Sequence, residues 1–80
     1  MTTEEIFEQL KNVLVKNFEL NPEDITLDAN IATDLDLDSI DAIDILSSIQ
    51  RVLNCRLTPS DFKTVKTVRD IVEVIQKHVP

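Results

Sequence analysis

Residues 33–46 read TDLDLDSIDAIDIL and place a single serine, Ser39, where an acidic segment passes into an apolar helical pattern. The apolar positions that follow recur at helical spacing and predict a helix from about Ser39 to Leu53. Its apolar stripe is expected to comprise Ala42, Ile45, Leu46, Ile49, Val52 and Leu53, extended at the amino end by Ile40 and Ile43. The first question is what the serine does at this helix start.

Serine and aspartate are both favoured residues for capping a helix amino end. With Ser39 as the N-cap, the reciprocal position three residues later is Ala42, which has no hydrogen-bonding side chain. With Asp38 as the N-cap it is Asp41, an acid that also suits the helix dipole. The spacing therefore predicts Asp38 as the cap and Ser39 as the first helical residue, with a hydroxyl that the backbone does not use.

Two other helices carry similar start signals. Thr2 with Glu5 is a capping-box signature before an apolar helical pattern, which should end ahead of Pro22 because proline disfavours the α conformation in the preceding residue. Thr67 with Asp70 opens a comparable pattern near the carboxyl end.

The connections complete an all-α prediction. Residues 21–37 show no sustained period and predict a long ordered loop. Its inward anchors are expected to be Ile25, Leu27, Ile31 and Leu35. Thr58 and Pro59, with Asp61 following, predict a short helix. We expect a small four-helix bundle with three longer helices and one short helix.

Size and composition limit the possible functions. A chain of 80 residues buries only about 60% of its unfolded surface, so residues 1–80 are expected to form one domain. Glycine is absent, which excludes phosphate-binding loops that need close backbone approach. A lone Cys55 and an acidic amino terminus predict a cytoplasmic protein without a membrane span.

The charge distribution is uneven. A net charge of −7 argues against nucleic acid and anionic membranes as partners, since binding there neutralises phosphates with Lys and Arg. No Lys or Arg lies between Lys16 and Arg51, whereas basic residues outnumber acids after Arg51. Protein partners are therefore expected to present basic surfaces to the acidic segment.

The acidic segment does not match a calcium loop. Asp34, Asp36 and Asp38 alternate as in the opening of an EF-hand, but the position that needs glycine is Ser39 and the position of the bidentate glutamate is Ile45. No metal site is predicted.

Catalysis by the chain itself is also not predicted. A nucleophilic Ser39 needs a general base, yet the single histidine, His78, lies near the far end of the sequence. Cys55 has no obvious activating neighbour. An exposed serine without a base can still accept a group from another enzyme.

The segment Asp34-Leu35-Asp36-Leu37-Asp38-Ser39-Ile40 resembles the D-L-G-x-D-S-L signature of acyl carrier proteins, and the order of helices is similar over the whole chain. In that family the serine receives 4′-phosphopantetheine from coenzyme A. The resemblance implies a non-catalytic carrier for fatty-acid or polyketide-type biosynthesis, with acyl groups held as thioesters on the arm. Ser39 would be the attachment residue and Asp38 the residue that the transferase recognises.

The resemblance also implies partners and a cargo site. The implied partners are a phosphopantetheinyl transferase and acyl-processing enzymes of the ketosynthase, ketoreductase, dehydratase and acyltransferase types, acting on a monomer. The acidic residues implied in partner binding are Asp36, Asp41 and Asp44. The candidates for an acyl pocket are Ile45, Leu46, Ile49, Phe62, Val65 and Ile71.

Three departures from the family pattern matter, of which Ile40 in place of the common leucine is a mild change. Asp36 occupies the glycine position, so either the backbone there avoids positive φ or Asp36 adopts it. Later in the helix, Ser47, Gln50 and Arg51 replace the usual acidic continuation. The D-L-D-L-D-S-I-D-A-I-D run is similar to carriers of specialised bacterial type II systems, such as those that make aryl polyene lipids.

Two alternatives stay open on the sequence. A peptidyl or aminoacyl carrier would use the same serine for a different cargo. A non-carrier helical module could use the acidic residues for protein interaction or divalent-ion binding, with Ser39 merely structural.

Overall fold

Three α-helices and two short 3-10 segments make up the computed structural model, which describes residues 2–79. The helices are α1 (Thr3–Phe18), α2 (Ser39–Leu53) and α3 (Val68–Gln76), and the 3-10 segments are Pro22–Asp24 and Pro59–Phe62. The all-α expectation is confirmed, and the predicted short helix is the 3-10 segment Pro59–Phe62. Each helix within residues 2–79 is too short or too polar to span a lipid bilayer.

Helices α1 and α3 begin at the predicted capping boxes. The Thr2 hydroxyl accepts the N–H of Glu5 at 3.2 Å, and the Glu5 carboxylate accepts the N–H of Thr2 at 3.0 Å. The Thr67 hydroxyl accepts the N–H of Asp70 at 3.2 Å, and the Asp70 carboxylate accepts the N–H of Thr67 at 3.1 Å. Each box satisfies backbone donors that lack a partner inside the helix.

One apolar cluster joins the three helices. Its most deeply buried side chains are Ile6, Leu10 and Leu14 of α1, Ile45 and Ile49 of α2, and Val68, Ile71, Val72 and Ile75 of α3. Burying an aliphatic side chain of this size contributes about 1.5–3 kcal/mol, so this cluster is the main source of stability. The loop closes it: Ile25, Ile31 and Leu35 are buried and Leu27 is half-buried.

The predicted stripe of α2 was too wide. Ile40, Ile43 and Val52 are 70%, 52% and 51% exposed, so their assignment to the buried stripe was wrong. At 3.6 residues per turn, positions two and five residues before Ile45 point away from the side that Ile45 buries. Ile40 and Ile43 therefore lie on the outer side of the helix.

Backbone hydrogen bonds fasten the long loop to the start of α3. The N–H of Ile31 donates to the carbonyl of Lys66 at 2.9 Å, and the N–H of Val68 donates to the carbonyl of Ala29 at 3.0 Å. This pairing brings the loop that precedes α2 beside the segment that precedes α3. The start of α2 consequently faces residues that are distant in the sequence.

Candidate functional site

The amino end of α2 is capped by Asp38. Its Oδ1 accepts the N–H groups of Ile40 at 2.9 Å and Asp41 at 3.0 Å. The Asp41 carboxylate in turn accepts the N–H of Asp38 at 3.1 Å. The predicted assignment of the cap is confirmed, and Asp38 keeps its second carboxylate oxygen outside this box.

Ser39 is the first residue of α2 and its side chain is exposed. Among the described residues, its hydroxyl makes no hydrogen bond, because Asp38 already accepts the nearby backbone N–H groups. The structure thus places an unused hydroxyl at a helix amino end, where backbone dipoles favour an attached anionic group. Such a hydroxyl is suited to being converted into a phosphate ester by another enzyme.

Asp36 adopts the left-handed conformation, with φ at 55°. It lies between Leu35 and Leu37, which are 3% and 7% exposed, so the chain must turn sharply to bury both side chains. The N–H of Leu37 donates to the carbonyl of Ile31 at 2.8 Å, which fixes the chain where it leaves this turn. The sequence left open whether the backbone avoids positive φ at the family's glycine position or Asp36 adopts it. The structure shows that Asp36 adopts positive φ, as Asp does more readily than most residues.

A groove of about 520 Å³ opens beside Ser39. Its apolar walls include Leu37, Ala42, Ile43, Phe62 and Val65. Two lysines, Lys63 and Lys66, also line it, together with Asn30 and Thr33 of the loop. Sequence reasoning missed these four polar residues. The basic character after Arg51 was a signal for the two lysines alone, and it carried no spatial information.

The acyl-pocket candidates fall into two groups. Phe62 and Val65 line the groove. The other candidates, Ile45, Leu46, Ile49 and Ile71, are 0%, 5%, 0% and 0% exposed and belong to the closed core. The structure therefore brings these four together inside the bundle, apart from the groove at Ser39.

The acidic candidates for partner binding also differ from one another. Asp36 and Asp44 are exposed, whereas Asp41 is half-buried and its carboxylate is engaged in the cap. Exposed Ile40 and Ile43 share the outer side of α2 with Asp44. We call these three residues, together with Asp36 in the turn before the helix, the α2 face.

The two other chemically reactive side chains considered in the sequence, Cys55 and His78, have surroundings that indicate structural roles. Burial raises the pKa of the half-buried Cys55 thiol, which disfavours the nucleophilic thiolate. His78 Nε2 lies 3.4 Å from Asp61 Oδ2 and joins the end of α3 to the segment Pro59–Phe62. Within residues 2–79, no group of three or more His, Cys, Asp or Glu is arranged to hold a metal ion.

Comparisons with known proteins extend over nearly the whole chain. The sequence model of the family described as "Phosphopantetheine attachment site" matches residues 8–75. "Acyl carrier protein 2" of Ralstonia nicotianae is 38% identical over 76 residues, which cover 95% of this chain and 94% of that protein. "Acyl carrier protein" of Coprothermobacter proteolyticus is 33% identical over 79 residues, covering 99% and 96%. The protein of the same name from Lactobacillus acidophilus is 33% identical over 78 residues, covering 98% of each chain.

Proposed function

This chain belongs to the acyl carrier protein family, and we propose that Ser39 is the residue that bears its 4′-phosphopantetheine. The chain carries acyl groups in fatty-acid-type biosynthesis on this covalently attached cofactor. When bound, the cofactor supplies a terminal thiol for thioester formation. The observation that carries the assignment of Ser39 is its exposed hydroxyl, which the helix cap leaves unused.

The surroundings of Ser39 fit the attachment of this group. Its Oγ would form the bond to phosphorus as the pyrophosphate of coenzyme A breaks, with adenosine 3′,5′-bisphosphate as the leaving group. We propose that the hydroxyl proton passes to a base on the transferase, since the carboxylate of Asp38 holds the helix start through Oδ1. The cap of α2 does not depend on the hydroxyl, so modification leaves the helix start intact.

The α2 face is the proposed docking surface for the transferase and the acyl-processing enzymes. Asp36 and Asp44 are exposed, and so are the side chains of Ile40 and Ile43 that lie between them in the sequence. Basic residues on a partner would speed the encounter, while the two isoleucines would add apolar contact. Asp38 contributes the carboxylate oxygen that its cap does not use, and Asp41 contributes charge. Binding through such exposed charges should weaken as salt is added.

An acyl chain is proposed to enter through the groove wall at Phe62 and Val65. Ile45, Leu46, Ile49 and Ile71 would surround it only if α2 and α3 moved apart, since all four are closed off. An aliphatic core yields to such a guest more readily than one filled with rings. Slower amide exchange in α2 with octanoyl cargo than with acetyl cargo would support this route, and equal exchange would contradict it.

The attachment site can be tested by intact mass. The purified protein is incubated with coenzyme A, Mg²⁺ and a broad-specificity phosphopantetheinyl transferase. We expect a mass gain of one phosphopantetheine that Ser39→Ala abolishes. Ser47→Ala is the matched control, because Ser47 is another exposed serine on α2, and it should be modified like the parent protein. A gain that persists in Ser39→Ala would place the attachment elsewhere.

The kind of cargo, the type of biosynthetic system and the cellular location are further proposals. We favour an acyl cargo over an amino acid because the three relatives named above are acyl carrier proteins. The specialised type II assignment and a cytoplasmic location stay predictions. Intact mass of the protein from its native host measures the cargo directly, and an aminoacyl thioester there would reverse our preference.

A further inference from the structure

We propose that Lys63 and Lys66 hold the phosphopantetheine arm in the groove beside Ser39. The inference rests on the proposed attachment at Ser39. It assigns a resting position to the arm and gives a binding role to two residues that lie far from the serine in sequence.

Both lysines and Ser39 line the same groove of about 520 Å³. The backbone at Lys66 is fixed on both sides: its carbonyl accepts the N–H of Ile31 at 2.9 Å, and its N–H donates to the Asp70 carboxylate at 3.0 Å. Within residues 2–79, neither lysine makes an ion pair, whereas Arg69 pairs with Asp28. Lys63 and Lys66 are exposed, and Lys66 also lies near enough to Asp70 to act on its carboxylate electrostatically. We infer that both side chains can turn toward an anion in the groove that they line.

The charged residues that line the groove are two cations, Lys63 and Lys66, and one carboxylate, Asp38. A phosphodiester on Ser39 adds negative charge beside Asp38 and Asp41, and no Lys or Arg lies in the sequence between Lys16 and Arg51. Lys63 and Lys66 are the cations that the fold brings to the groove. The Debye length is about 10 Å at 0.1 M salt, so charges lining one groove interact at moderate ionic strength.

The remaining chemistry of the arm also fits this occupant. Beyond its phosphate, the arm carries a gem-dimethyl group and two amides, which need apolar contact and hydrogen-bonding partners. Ala42, Ile43 and Val65 supply apolar wall. Asn30 also lines the groove, and its Oδ1 accepts the N–H groups of Ala32 and Thr33 at 2.9 and 3.0 Å. Its side-chain N–H₂ is the group left to donate to an amide of the arm.

Amide chemical shifts of apo and holo protein test the proposal. We expect attachment to shift the amide signals of Thr33, Phe62 and Val65. In the double variant Lys63→Gln/Lys66→Gln, these shifts should shrink by about half, because exposed ion pairs supply only part of the holding energy. Lys77→Gln is the matched control, an exposed lysine at the end of α3, and it should retain the parental shifts. Added salt should act like the double variant.

The outcomes separate this inference from the proposed function. Intact mass is measured first, and absence of a gain on Ser39 would overturn the proposed function. A normal gain with shifts confined to the first turn of α2, or shifts unchanged in the double variant, would overturn this inference alone. Thermal unfolding of the apo double variant should match the parent, since both lysines are exposed and changes at such positions usually stay within about 0.5 kcal/mol.

Discussion

Helices α2 and α3 begin with the same hydrogen-bonding pattern but assign it to different side chains. In α3 the hydroxyl residue, Thr67, is itself the cap and accepts the N–H of Asp70. In α2 the cap is Asp38, and the hydroxyl residue, Ser39, is moved one position into the helix. Both starts satisfy the exposed backbone donors, but only α2 keeps its hydroxyl free.

The difference separates stability from chemistry. The cap of α1 follows the α3 pattern, with the Thr2 hydroxyl bound to the N–H of Glu5. A modification on either threonine would remove an acceptor that the helix needs. At α2, a group attached to Ser39 would leave the Asp38 carboxylate in place, so the helix start would keep its cap.

The largest expected loss of stability follows removal of the α2 cap. Asp38→Ala deletes the acceptor of two backbone N–H groups and should cost about 1–2 kcal/mol in the free energy of unfolding by urea. Asp38→Asn retains an oxygen acceptor and should lose less. An unchanged Asp38→Ala together with a destabilised Ser39→Ala would mean that the serine hydroxyl is the true cap.

A smaller loss is expected at α3. Thr67→Ala should cost about 1 kcal/mol because it removes the cap hydroxyl, and the variant should still accept phosphopantetheine. Ser39→Ala should give the reverse result, with stability within about 0.5 kcal/mol of the parent and no modification. Urea titration and intact mass on the same samples check both. Equal destabilisation of the two variants would remove the contrast between the helix starts.

Local spacing explains why these caps were predictable. A capping box depends on residues three apart, so Asp38 with Asp41 can be read directly from the sequence. The groove depends on pairing of Ile31 with Lys66, which are far apart in the chain. Nothing local specifies that pairing, and the contribution of Lys63 and Lys66 to the site was therefore missed.

Side-chain direction was the other source of error. The apolar residues of α2 were assigned to one stripe, although Ile40 and Ile43 lie on the opposite side from Ile45. A strict helical period would have separated them. Their exposure could then have been predicted, but not the presence of a groove beside Ile43.

The turn before α2 offers a third comparison, since Asp36 has φ at 55°. Asp36→Gly should stabilise the protein by about 0.5–1 kcal/mol, because glycine adopts this conformation without steric cost. Asp44→Gly is the control with the same exchange inside α2, and it should destabilise by a few tenths of a kcal/mol, about the difference in helix propensity. Thermal or urea unfolding shows whether each exchange raises or lowers the stability of the protein. Destabilisation by both exchanges would show that the Asp36 side chain contributes more than its backbone strain costs.

The smallest effect concerns the carboxylate of the α3 cap. Hydrogen bonds from the N–H groups of Lys66 and Thr67 lower the pKa of Asp70 from its ordinary value of 3.8. A lowered folded-state pKa gives stability that is present above the unfolded value and is lost as the pH falls through the folded value. Urea midpoints between about pH 2 and pH 6 should therefore decline at the acid end, and the decline should be shallower in Asp70→Asn. Identical declines in the two proteins would show that this carboxylate is not stabilised by the start of α3.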